Sequence, residues 1–73
     1  MMTFYERIRD TRKDKDIGQK QIADALGITQ QQYSLYETGK RPFPAEMIPT
    51  ICLYLHTSAA YIFGLPKNLA WPR

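Results

Sequence analysis

The run Leu26-Gly27-Ile28-Thr29 places a helix stop and a helix start almost on top of each other, and few folds accommodate that. Gly27 is the residue type that accepts the left-handed conformation just past a helix, so IGQKQIADALG, with Ile22, Ala23 and Leu26 on one face, is predicted to end there. Thr29 opens the next helix at once. Its hydroxyl can accept from the amide of Gln32, while the Gln32 side chain reaches back to the Thr29 amide in a capping box. Ile28 before the cap and Tyr33 in the first turn then form a hydrophobic staple. The preceding segment reads the same way, with Gly18 as N-cap and Ile17 stapled to Ile22. Two short helices are thus joined by a turn of three residues, Gly27-Ile28-Thr29.

The rest of the chain follows the same punctuation. From Phe4 to about Lys15, Phe4 and Ile8 fall four apart, with Thr11 continuing the stripe weakly, which predicts a first amphipathic helix. The third helix is predicted over Gln30 to Thr38, stopping at Gly39, with Tyr33 and Tyr36 facing inward. After RPFP a fourth helix from about Ala45 to Leu55 lines up Ile48, Ile51, Cys52 and Leu55. Pro49 must lie in its first turn or bend it. A fifth, capped by Thr57 or Ser58, covers Ala59 to Phe63 and ends at Gly64. No run alternates apolar and polar long enough for a strand, so the class is all-α. The prolines Pro66 and Pro72 argue against regular structure in the tail; residues 1–65 are expected to form one domain and 66–73 a short apolar extension.

Composition narrows the function classes. Hydrophobic residues make up 44% of the 73-residue chain and charged ones 23%, enough for one modest core. The net charge of +3 and pI near 9.2 permit an anionic partner without requiring one. The basic residues between Arg7 and Lys20 are interleaved with Asp10, Asp14 and Asp16 and read as a solvated helix face. Lys40 and Arg41 meet no acid until Glu46, so they are the better contact for an anion. A single cysteine, Cys52, allows no internal disulfide, and Cys52 with His56 lacks a third ligand type, so neither a zinc site nor a nucleophile dyad can be argued. We expect no enzyme activity, metal or cofactor. The start MMTFYERIRD has no apolar run suited to a signal peptide or membrane span, so a cytoplasmic location is expected.

The two helices around Gly27-Ile28-Thr29 form a helix-turn-helix, whose second helix can enter the DNA major groove. Small Ala23 lets the helix backbones approach, and Leu26, Ile28, Tyr33 and Tyr36 can seal the wedge. The ordered set Gln19, Ala23, Leu26, Gly27, Ile28, Tyr33, Tyr36, Glu37, Gly39 and Lys40, preceded by RIRDTRKDKDI and followed by GKRPFP and AYIFGL, resembles the phage Cro and repressor group, the XRE-like or lambda-repressor-like domains. The likeness runs from about Phe4 to Leu65. It implies a compact five-helix fold with the third helix as recognition helix. It further implies that Gln19 holds a phosphate beside a helix N-terminus, that Gln30 and Gln31 reach base edges, and that Lys40, Arg41 and the backbone around Gly39 meet phosphates. The same likeness implies that Arg12 and Glu37 form an ion pair tying the first helix to the third. Gly18, Thr11, His56 and Pro49 depart from the pattern.

Glutamine is a good helix former and needs no reason to be outside, but at the start of the second helix of this motif Gln30 and Gln31 are read as base contacts. Gln32 is divided between base contact and its cap, and Ser34, one turn on, between a DNA contact and solvent. Gln30 or Gln31 would pair with adenine, favouring A·T at the contacted positions. The expected function is a sequence-specific transcriptional regulator, most simply a repressor of a phage, mobile element or bacterial operon, bound to double-stranded DNA. The alternative is a protein-interaction module such as an antitoxin, holding its partner through the C-terminal aromatic segment. Tyr54, Tyr61, Phe63, Leu65, Leu69 and Trp71 exceed what a small core needs, so part of them is assigned to a homodimer interface. A dimer would set two recognition helices about 34 Å apart on a palindromic operator.

Overall fold

Local chemistry at the helix ends does most of the architectural work. The computed structural model describes residues 2–64, with α1 at Phe4–Asp14, α2 at Gln19–Leu26, α3 at Gln30–Glu37, α4 at Met47–Leu55 and α5 at Ala59–Phe63. Thr3 and Thr29 each close a capping box, with Glu6 and Gln32 respectively. Gly18 has no side chain to offer, yet the Gln21 Oε1 still accepts from its amide at 2.7 Å. Backbone angles at Gly18 (φ −78, ψ 159) and Thr29 (φ −77, ψ 157) are nearly identical, so α2 and α3 start with the same geometry. Of the two caps proposed for α5, Ser58 is the one used.

The helix ends share a device too. After α1, α2, α3 and α4 comes one left-handed residue, Asp16, Gly27, Gly39 and His56 respectively. In each case the next amide, from Ile17, Ile28, Lys40 or Thr57, bonds back to the carbonyl five residues earlier, at Arg12, Ala23, Leu35 or Cys52. This is the Schellman arrangement, which reverses the chain while pairing carbonyls the helix leaves open. Two of the four left-handed residues carry side chains, at φ 57 for Asp16 and φ 52 for His56.

Three boundaries differ from expectation. α1 and α3 each stop one residue early because Lys15 and Thr38 are already closing residues. α4 begins at Met47, since Pro44, Ala45 and Glu46 form a turn in which the Met47 amide bonds the Pro44 carbonyl at 3.0 Å. Pro49 is thereby the third residue of α4, where its missing N–H removes no intrahelical bond.

Ile8, Ile22, Ala23, Tyr33, Ile51, Leu55 and Ile62 are fully buried and form one core to which every helix contributes. α2 packs on α3 and α4, and α1 on α3 and α5, so the pair α2–α3 is held from behind by the rest. Cys52 is half-buried against this core, and burial raises its thiol pKa, as fits a small packed hydrophobe. Thr11 reaches the core edge by donating its hydroxyl to the Arg7 carbonyl at 2.8 Å. No helix among the described residues is long and apolar enough to cross a membrane.

Candidate nucleic-acid interface

Position on a helix decides which α3 side chains are available. Residues advance by about 100° each, and Tyr33 and Glu37, one turn apart, are the buried pair. Gln31 falls opposite this pair and Gln32 to one side, both exposed, while Gln30 lies on the side of the pair but is exposed because it is the first residue of the helix; Ser34 is half-buried. Gln32 accepts from the Thr29 amide at 3.1 Å, so its carbonyl oxygen is engaged in the cap. Gln30 and Gln31 make no side-chain hydrogen bond among the described residues. Ser34 gives its backbone carbonyl to the Thr38 hydroxyl at 2.8 Å.

Behind α3 lies an ion pair. Arg12 donates from Nε to Glu37 Oε2 at 2.9 Å and from Nη2 to Oε1 at 2.8 Å, a two-pronged contact with both residues under 8% exposed. Its Nη1 also donates to the Ile17 carbonyl at 2.8 Å, so one guanidinium joins α1, the α1–α2 turn and α3. Burial alone would raise the Glu37 pKa; hydrogen bonding by Arg12 and Gln19, with the nearby Tyr33 hydroxyl and the charge of Arg12, outweighs it and holds the carboxyl below its ordinary value. Hydrogen bonding to Glu37 in turn raises the Arg12 pKa. The Tyr33 hydroxyl is buried without a hydrogen-bond partner, and burial first, then the adjacent Glu37 carboxylate, raise its pKa.

Gln19 was expected to face a phosphate from the first position of α2. In the structure its Nε2 donates to Glu37 Oε1 at 3.2 Å, a link across 18 residues that spacing does not reveal. An amide nitrogen carries two hydrogens, so this bond orients the side chain and leaves a second donor.

Lys40 and Arg41 are exposed, on a loop whose backbone is fixed because both their amides bond to the Leu35 carbonyl, at 3.0 and 3.1 Å. Gly39 is required there: its φ is 79, and a Cβ at this position would lie 2.6 Å from the Tyr5 ring. Tyr5 is thus a support for the loop that sequence reasoning missed. Phe43, held between Pro42 and Pro44, stacks on Phe4, Tyr33 and Tyr36 at 5.9, 6.1 and 5.3 Å between centroids and fastens the loop's far end. Arg9 pairs with Asp10 and Lys20 with Asp24 at the surface, so part of the first basic cluster is neutralised locally.

Of the residues assigned to an interface, Tyr54 packs against the core. Tyr61 is 51% exposed beside the Arg7 guanidinium, and Phe63 is 46% exposed while stacking on Phe4. Leu65, Leu69 and Trp71 lie outside the described residues. Among the described residues no three His, Cys, Asp or Glu side chains gather as a metal site would need.

A family model described as a helix-turn-helix domain matches residues 5–67, nearly the whole chain. The chain belongs to this helix-turn-helix family. Its fold is lambda-repressor-like: the P22 c2 repressor, solved in complex with a synthetic operator, superposes with a TM-score of 0.76 at 24% identity, over 86% of this chain and 96% of that one. Two relatives in Bacillus subtilis are named HTH-type transcriptional regulators. YqaE is 36% identical over 65 residues, 89% of this chain and 56% of its own length. The SPbeta prophage-derived YonR is 49% identical over 37 residues, 51% of this chain and 34% of its own length. The chain therefore spans about half or less of the curated relatives it matches. They are named as regulators of transcription, not as enzymes.

Proposed function

We propose that this domain binds double-stranded DNA with α3 in the major groove and regulates transcription by occlusion or recruitment at a promoter, with no chemistry performed. The observation that carries this reading is the division within α3: Tyr33 and Glu37 anchor one face, while Gln30 and Gln31 stand exposed at the N-terminal turn without an internal partner among the described residues. Ser34 lies one turn further along, and Gln32 contributes chiefly through the cap. Glutamine pairs bidentately with adenine, so A·T pairs belong under Gln30 or Gln31. Lys40 and Arg41, on their fixed loop, and Gln19, oriented by Glu37 beside the α2 amides that Gly18 leaves uncapped, are assigned to phosphates.

The operator bound by the P22 c2 repressor and the prophage origin of YonR favour a phage, mobile-element or bacterial operon as the setting, with repression by occlusion and a cytoplasmic location. The exposed Phe63 and Tyr61, with the apolar groove formed by Phe4, Phe43, Ile48 and Pro49, favour a homodimer on a palindromic operator. The same surface supports the second reading, an antitoxin-like module that holds a partner protein there.

The test is the division of labour. Gln30→Ala should weaken binding to a selected site by about 1 to 3 kcal/mol and relax choice at one base pair. Lys40→Ala should weaken binding to every sequence and reduce the salt slope by about 1. Equal losses for both variants on selected and random DNA would contradict the assignment.

A further inference from the structure

Leu35 has no role in the reading above, and its placement is unusual for a leucine. It lies two residues from Tyr33, about 200° around the helix, and so points nearly opposite to the buried side of α3. It is four residues after Gln31 and falls on the same outward stripe, with Gln32 and Thr38 beside it. Every one of those neighbours is polar. Leu35 is half-buried, yet it is neither a core residue nor one of the apolar side chains packed against the core. Its carbonyl accepts the amides of both Lys40 and Arg41, so its backbone is pinned at the junction between α3 and the basic loop.

Resting on the reading of α3 as the DNA-reading helix, we propose that Leu35 packs on the 5-methyl group of a thymine in the major groove, next to the base pair that Gln31 reads. The groove floor offers donors, acceptors and one apolar feature, the thymine methyl, and an apolar side chain can select only that. Reach agrees with this. Four residues rise about 6 Å along a helix, and base pairs are about 3.4 Å apart, so the thymine lies within about two base pairs of the Gln31 contact. A leucine singly exposed to water is ordinary on a protein surface. What distinguishes Leu35 is its being the apolar member of a polar stripe, on a backbone fixed by the loop assigned to phosphates.

The test uses the full chain and the duplex it selects from a random pool. Each thymine of that duplex is replaced in turn by deoxyuridine, which removes the methyl and leaves base pairing intact. At one thymine within two base pairs of the Gln31 position, affinity should fall about fourfold, the equivalent of one methyl-sized burial of about 0.8 kcal/mol. Leu35→Ala should bind the thymine and deoxyuridine duplexes equally, Leu35→Met should keep the preference, and both should melt near the wild-type temperature. A wild-type protein indifferent to deoxyuridine at every position overturns the assignment and needs no variant to fold. So does a Leu35→Ala protein that keeps the full penalty. If a sequence is enriched but methyl-independent, only Leu35 is misassigned; if none is enriched, the DNA-reading function falls with it.

Discussion

The α2–α3 half and the α4–α5 half of this small domain are built to different standards. In the first, Gly27 and Gly39 take the left-handed positions, Thr29 and Gln32 close the α3 cap, and a buried ion pair backs α3, with the uncapped Gly18 as the exception. In the second, His56 occupies a left-handed position at φ 52, Pro49 sits in the first turn of α4, and Leu53 is 77% exposed. The contrast teaches where orientation matters. The half that aims α3 is over-determined by local chemistry, whereas the half behind it needs only to bury Ile51, Leu55 and Ile62 and leaves apolar surface uncovered.

The contrast can be broken most forcefully at the ion pair. Arg12→Met leaves Glu37 buried and uncompensated and should lower unfolding free energy by about 3 to 5 kcal/mol in urea denaturation. Acid should have a related effect. Glu37 is held below its ordinary value, so the stability it provides is complete above the unfolded-state pKa, about 4.3, and is lost as pH falls through the lower folded value. Glu37→Gln should flatten that part of the stability profile.

Gly39→Ala comes next. Its Cβ would lie 2.6 Å from Tyr5 at a positive φ, for a loss of about 2 to 4 kcal/mol by thermal unfolding. Tyr5→Ala in the same chain should relieve the collision but not the backbone strain. In the opposite sense, His56→Gly should stabilise by about 1 kcal/mol by removing left-handed strain, with DNA affinity unchanged. If His56→Gly destabilised instead, the second half would not be the looser one.

Much of the fold was legible because helix starts and stops are short-range chemistry. Gly27, Gly39 and Gly64 were read as stops and all three have positive φ. The Thr29–Gln32 box and the place of Pro49 in the first turn of α4 were also visible in the sequence. Asp16 was not, since an aspartate leaves the left-handed region to be decided by the turn it joins. Thr3-Phe4-Tyr5-Glu6 carried a capping-box signature that was overlooked. Of the candidate site, the exposure of Gln30 and Gln31 in the first turn of α3 was legible from polarity and the position of the Thr29 cap. Leu35 is apolar and polarity does not mark it; its angular distance from Tyr33 is the signal the sequence carries. The Gln19–Glu37 bond and the Tyr5–Gly39 contact depend on how helices pack, which no local spacing encodes.

The most direct measurement of the central claim is selection of bound sequences from a random duplex pool at physiological salt, performed side by side with wild type and a Gln30→Ala, Gln31→Ala double variant. The account predicts an enriched site with A·T pairs in the wild type, and loss of preference at those positions in the variant. No enrichment, or the same site enriched by both proteins, would contradict α3 as the reading helix.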